Sequence, residues 1–173
     1  LEYDTFVRQG ANKYIKRDPE LRAFLESLPQ KTRKVIFTNA PESSANEILD
    51  LLGVADLFEV VLGTEFMQNK VCKPEKAAFD MVLEHLGVSS SDDHYHRVCY
   101  FEDSFKNLLA GKELCGFQTV FVTSPTLIHE GRTKEELSQF DAVVENKVGM
   151  SLQEQLPQLW EGSSVSVPPL SVR

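Results

Sequence analysis

The sequence predicts an α/β protein built on a mostly parallel sheet with helices on both faces, and three observations carry that prediction. Short β-rich runs alternate with helix-length amphipathic segments from about residue 18 onward, the pattern of βαβ units. Proline and glycine punctuate those segments where helices start and stop. The 173 residues, 42% hydrophobic and 25% charged, suit one packed core rather than a fibrous or largely disordered chain.

The elements follow in order. Asp18 can cap a helix with Pro19 in its first turn, and Leu21, Phe24, Leu25 and Leu28 then recur on one face until Pro29. Residues 34–38, Lys-Val-Ile-Phe-Thr, read as a buried strand. A helix begun at Pro41 places Ala45, Ile48, Leu49 and Leu52 together, with Gly53 ending it. Residues 59–62 give a second strand. Pro74 is expected to open a helix carrying Phe79, Val82, Leu83 and Leu86, stopped by Gly87. Residues 97–101 form the third strand, and Ser104 is expected to cap a helix running to Gly116. Residues 119–122 and 141–144 give the last two strands. Thr133 with Glu136, and Ser151 with Glu154, have capping-box spacing, the second before a closing helix interrupted by Pro157. Residues 1–17 stand outside the alternation, and 161–173 read as a flexible tail.

Composition excludes several classes of function. Eighteen Lys and Arg against 26 Asp and Glu give a formal net charge of −8, which argues against a basic face for nucleic acid or anionic membranes. No apolar run approaches the ~20 residues of a spanning helix. Three cysteines, Cys72, Cys99 and Cys115, are odd in number and lack CxxC spacing, so they read as reduced, buried thiols of a cytoplasmic protein.

Ligands of open parallel sheets bind outside the carboxyl ends of the strands. Three polar groups fall there or at adjoining helix starts: Thr38-Asn39 before Pro41, Lys73 before Pro74, and Glu102-Asp103-Ser104 with Asn107 one turn on. Each alone is an ordinary turn, helix start or acidic cap. Together, a hydroxyl and free N–H groups at a helix N-terminus, a lysine, and carboxylates that need a hard cation between them and an anion make a metal-assisted phosphate site.

Those segments, Val35-Ile36-Phe37-Thr38-Asn39-Ala40, Cys72-Lys73-Pro74 and Tyr100-Phe101-Glu102-Asp103-Ser104-Phe105-Lys106-Asn107, resemble motifs II, III and IV of the haloacid dehalogenase-like phosphohydrolases, nearest to their pyrimidine 5′-nucleotidase-like branch. The resemblance covers roughly residues 1–145. It implies a Rossmann-like core and Mg²⁺-dependent hydrolysis of a small phosphate monoester of the nucleoside 5′-monophosphate type. Thr38, with the Asn39 region, would hydrogen-bond the phosphoryl group, and Lys73 would neutralise nucleophile and phosphate. Asp103 would hold Mg²⁺, with Glu102 as acidic neighbour and Asn107 as support.

One departure is large: the motif I Asp-x-Asp, source of the nucleophile, occurs nowhere in the chain. Asp4 stands alone, and Asp92-Asp93 lies in a polar stretch. The expectation is an N-terminally truncated enzyme, inactive as it stands: 1–17 a remnant of a helical cap, 18–160 a core lacking its first strand, 161–173 the tail. The alternative is a non-catalytic module of the same fold that binds a phosphorylated ligand or protein partner. Receiver domains share an acidic pair, Thr, Lys-Pro and Mg²⁺, but in another order, with the acidic pair first. No GxGxxG, Walker A, GxSxG or HExxH pattern occurs. His94 and His96 read as a solvated loop, and Lys76 and Lys106 stay outside the site.

Overall fold

The computed structural model describes residues 10–89, 98–123, 133–145 and 150–160. Asp4, Asp92-Asp93, His94, His96 and the 161–173 tail lie outside the described residues. The chain divides between Cys72 and Lys73 into two compact units. Pairing is parallel in each, as the α/β reading expects.

The first unit begins with a short helix α1 (Ala11–Tyr14), whose Tyr14 is 85% exposed. Helix α2 (Pro19–Ser27) starts as the sequence predicts, with Pro19 in its first turn and the Asp18 carboxylate accepting the Leu21 N–H at 2.9 Å. Strand β1 (Val35–Phe37) leads to α3 (Glu42–Leu52), with Pro41 at the N-cap. Gly53 ends α3 at φ 74, the left-handed conformation that favours glycine there. A 3₁₀ turn (Ala55–Leu57) precedes β2 (Val60–Leu62), which pairs with β1 in the register Val35 to Val60 and Phe37 to Leu62. Leu25, Leu49 and Val54 form the core here, joined by Phe24 and Ile36. Periodicity identifies two of these three residues, since it puts Leu25 and Leu49 on the buried stripes of α2 and α3, while Val54 lies beyond the end of α3.

The second unit opens with α4 (Lys76–His85) and continues through β3 (Cys99–Glu102), α5 (Phe105–Cys115) and β4 (Gln118–Thr123). Helix α6 (Lys134–Leu137), β5 (Ala142–Glu145), α7 (Met150–Gln155) and a 3₁₀ turn (Pro157–Leu159) complete it. The strand order is β3-β4-β5, with Glu102 opposite Phe121 and Phe121 opposite Val143. Leu108, Phe121 and Phe140 make the core beneath it, Phe121 stacked on Phe140 at 5.7 Å between centroids. Thr119, fully buried, donates its hydroxyl to Asp141 at 2.7 Å, and the same carboxylate accepts the Thr119 N–H, so the start of β4 is fastened beside β5.

Several expectations are corrected. Lys73-Pro74 is a cis bond and α4 begins only at Lys76, so Pro74 precedes the helix rather than opening it. Glu102 is the last residue of β3 and not the first beyond it. Ser104 sits at the N-cap of α5 without a side-chain capping bond; its own N–H is directed to Glu102. The Thr133–Glu136 capping box is complete, but Ser151 lies inside α7. Cys115 is buried and Cys99 half-buried, whereas Cys72 is exposed, because it belongs to an irregular link and not to a strand or helix face.

Candidate active site

In the first unit, Thr38 follows β1 directly. Its N–H donates to the Leu62 carbonyl at 3.0 Å, which extends the β1–β2 ladder by one residue, and its Oγ1 accepts the Ala40 N–H at 3.0 Å. This local hydroxyl-to-backbone turn fixes the oxygen at the entrance to α3 and leaves the hydroxyl proton to be donated. Asn39 is exposed at the same corner.

A residue that the sequence reading passed over holds this corner together. Glu42, in the first turn of α3, accepts the N–H groups of Gly63 and Phe66 on Oε1, both at 2.8 Å, and of Glu65 on Oε2 at 3.0 Å. Burial raises its pKa, but these backbone donors outweigh that and hold the carboxyl below its ordinary value. Gly63 is obligatory here, since a Cβ would lie 2.4 Å from the Ala40 carbonyl oxygen.

In the second unit the structure brings Lys73, Glu102 and Asp103 together around one buried carboxylate. Lys73 is 7% exposed and Glu102 9%, and Lys73 Nζ donates to Glu102 Oε2 at 2.6 Å. Tyr100 donates its hydroxyl to the same oxygen at 2.7 Å. Oε1 accepts the N–H groups of Ser104 at 3.0 Å and Asp103 at 3.2 Å. Four donors therefore converge on Glu102. Burial pushes its carboxyl up, but the side-chain hydrogen bond with Asp103, the Lys73 charge and the Lys73 and Tyr100 bonds prevail and hold it down at about 2.

Asp103, which β3 delivers to the strand exit, responds in the opposite sense. Its hydrogen bond with Glu102, then burial, then the Glu102 charge raise its pKa. Burial and the Glu102 charge raise Tyr100 too, so the phenol remains a hydrogen donor. Asn107, in the first turn of α5 and 7% exposed, has a buried Oδ1 with no hydrogen-bond partner among the described residues.

The donor set fits a magnesium ion. Mg²⁺ takes oxygen ligands, keeps several waters and is commonly held by one or two protein groups together with substrate phosphate. Asp103 offers such an oxygen, and the orphaned Asn107 oxygen offers a second, which repays its otherwise unsatisfied burial. Glu102, its lone pairs already occupied, is a holder of Lys73 and not a ligand. The described residues contain no group of three or more His, Cys, Asp or Glu able to hold a metal by themselves. Lys76 pairs with Asp80 on the exposed side of α4 at 2.5 Å.

Tyr100 and Glu42 are the residues that sequence reasoning missed. The signal for Tyr100 was present: residues two apart in a strand share a face, so Tyr100 and Glu102 had to point the same way. Glu42 carried no comparable signal, because its partners lie more than 20 positions ahead.

Comparison with known proteins gives a consistent result. Residues 7–114 match the haloacid dehalogenase-like hydrolase family. Phosphate metabolism protein 8 of Saccharomyces cerevisiae is 29% identical over 101 residues, covering 52% of this chain and 32% of that protein. The chain thus spans about a third of the length of the curated relative it matches. A HAD phosphatase from Thermococcus onnurineus superposes with a TM-score of 0.62 at 22% identity, over 92% of this chain and 65% of that one. A putative beta-phosphoglucomutase from Thermotoga maritima gives 0.59 at 26%, over 87% and 62%. No helix among the described residues is long and apolar enough to cross a membrane.

Proposed function

Since the chain belongs to the haloacid dehalogenase-like hydrolases, we propose that it supplies the phosphate-binding and charge-handling part of a Mg²⁺-dependent phosphate-monoester hydrolase acting on nucleoside 5′-monophosphates. The observation that carries this reading is the Lys73 ammonium, buried and fixed on Glu102 beside Asp103. A buried ammonium set in place before substrate arrives is poorly explained by folding stability alone, because desolvation offsets most of the attraction within such a pair. It is well explained by phosphoryl transfer, where catalysis rests on positioning and on charge already in place.

In this reading Thr38 donates its hydroxyl proton to a phosphoryl oxygen, its own lone pair being occupied by the Ala40 N–H. Lys73 offsets the negative charge of the phosphoryl group. Glu102 keeps the ammonium oriented. Asp103 and Asn107 would hold Mg²⁺, which when bound supplies electrostatic relief to the phosphate oxygens. The three free cysteines support a reducing, cytoplasmic setting.

The nucleophile is a separate matter, since the 173 residues contain no Asp-x-Asp. That observation favours a second reading, a module of the same fold that binds a phosphorylated ligand or partner without turnover. One experiment separates them: the coding sequence upstream of Leu1 is read and expressed with the chain, and hydrolysis of 5′-UMP and 5′-CMP is followed with and without Mg²⁺. The enzyme reading expects an in-frame Asp-x-Asp and Mg²⁺-dependent release of phosphate that Lys73→Met abolishes. A start codon at once upstream, with phosphate binding and no hydrolysis, carries the module reading.

A further inference from the structure

The aromatic residue beneath the lysine has a place in this site that neither composition nor motif assigns. We infer that Tyr100 is a positioning residue: its hydroxyl and its ring together fix where the Lys73 ammonium stands, the hydroxyl through Glu102 and the ring directly.

Three observations in the second unit lead there. First, Tyr100 and Lys73 bind the same atom. Glu102 Oε2 receives the phenol at 2.7 Å and the ammonium at 2.6 Å, while Oε1 is held by the backbone of Asp103 and Ser104. The two backbone bonds locate one oxygen of the carboxylate, and the phenol fixes the rotation that places the other. Without the phenol, the oxygen that takes Lys73 has no further neutral anchor among these four bonds.

Second, the ring carries the ammonium on its face. Lys73 Nζ lies 5.5 Å from the Tyr100 centroid, inside the range at which a cation is attracted to an aromatic quadrupole. A lysine ammonium sits on a flexible four-carbon stem that carries substantial rotamer entropy. An oxygen on one side and a ring face on another restrict it from two directions.

Third, the ring itself is clamped. Tyr100 meets Phe79 of α4 edge to face at 6.0 Å, and Phe117 likewise at 6.0 Å. Behind it stands Gly111 of α5, where a Cβ would lie 2.7 Å from a Tyr100 ring carbon, so only glycine lets the ring occupy this position. Phe79 lies on the helix that begins three residues after Lys73. The same ring therefore touches the helix that follows the lysine and orients the carboxylate that binds it.

The functional weight of this inference rests on the phosphate reading above, and its test separates the two. The full 173-residue chain, ¹⁵N-labelled, is compared with Tyr100→Phe, Tyr100→Leu and Lys73→Met by two measurements: the ¹⁵Nζ–H resonance of Lys73, with its exchange against water, and titration with inorganic phosphate in the presence of Mg²⁺. Phenylalanine keeps the contacts with Phe79 and Phe117, so Tyr100→Phe is expected to melt within a few degrees of the parent. Its Lys73 protons are expected to exchange about tenfold faster, one hydrogen bond to a charged group expressed as a ratio. Tyr100→Leu is expected to shift the Lys73 resonance further, by loss of the ring current. Phosphate affinity is expected to fall in the same order.

A purely structural role would leave the Lys73 signal of the stably folded Tyr100→Phe protein unchanged. An Nζ–H resonance and exchange rate equal to the parent in Tyr100→Phe and Tyr100→Leu would overturn the inference whatever phosphate does. If phosphate affinity ignores Lys73→Met, the phosphate reading fails instead, and the resonance still decides the place of Tyr100.

Discussion

Lys73→Met isolates the energetics of the buried pair. Methionine roughly preserves the length and volume of the lysine stem, so the loss is chiefly that of the ammonium. Removing one partner of a buried ion pair costs about 3–5 kcal/mol, because the remaining charge is left without its counterion. Glu102 would keep three of its four donors, Tyr100 and the N–H groups of Asp103 and Ser104, which places the expected loss at the lower end, about 3 kcal/mol. With a urea m-value of about 2 kcal/mol/M, the midpoint falls by about 1.5 M. The single tryptophan, Trp160, lies in the same unit as the pair, so its fluorescence reports the relevant unfolding.

The loss also has a pH signature. Glu102 has a folded-state pKa depressed to about 2 from its ordinary 4.5, so its contribution is present above 4.5 and is lost as pH falls through the folded value. Part of that depression comes from Lys73, and the variant lacks it. The gap between parent and Lys73→Met is therefore full at pH 7 and narrows as pH drops from 4.5 toward 2. The double variant Lys73→Met/Glu102→Gln, with no buried charge at the site, is expected to recover at least half of the single loss. A loss below about 1 kcal/mol at pH 7, or one of equal size at pH 3, would refute the claim that Glu102 depends on a buried counterion.

Other substitutions test neighbouring parts of the structure. Glu42→Gln replaces one carboxylate oxygen with a donor facing backbone N–H groups and is expected to cost about 1.5–3 kcal/mol at pH 7. Because the Glu42 pKa is lowered by folding, that cost is present above its ordinary value and shrinks in acid; hydrogen exchange at Gly63, Glu65 and Phe66 at pH 7 and pH 4 measures it. Gly111→Ala forces the Tyr100 ring to move and is expected to lower stability by about 1–3 kcal/mol, read from Trp160 fluorescence in urea; an unchanged midpoint would show that the ring can yield. Asp103→Asn is expected to weaken Mg²⁺ binding by calorimetry far more than Asn107→Ala, and equal affinities in Asp103→Asn and parent would remove Asp103 from the metal site.

Much of the fold was legible because its signals are local. Asp18 and Pro19 start α2, Gly53 and Gly116 end α3 and α5 in left-handed conformations, and the Thr133–Glu136 box forms with both of its bonds. Each of these depends on residues within four positions of one another. What failed depends on longer range. The boundary of β3 lies at Glu102 because Glu102 has a ladder partner, Phe121, that no local pattern announces. Ser104 fails to cap α5 with its side chain where propensity expects it, and its own N–H goes to the Glu102 carboxylate, two residues back in the strand. Cys72 is exposed because the link that carries it belongs to no amphipathic face, so its apolar neighbours said nothing about its burial.

The meeting of Lys73 with Glu102 and Asp103 follows from their places at strand exits and helix starts, whereas the opposite response of the two carboxylates does not, and charge explains the difference. In a chain of net charge −8, an acidic pair beside a lysine suggests two similar carboxylates awaiting a cation. The structure makes them unlike: Glu102 is buried, saturated with donors and held well below the ordinary range, while Asp103 next to it is pushed upward. Glu102 is the last residue of β3 and shares a strand face with Tyr100, whereas Asp103 follows the strand and meets the same carboxylate from the exit, so the two neighbours have different partners. Once Glu102 is committed to Lys73, the pair is neutral as a whole, and it cannot attract a phosphate by net charge. Its contribution is a fixed ammonium whose position is decided in advance, which is why a tyrosine with no charge of its own belongs to the same device.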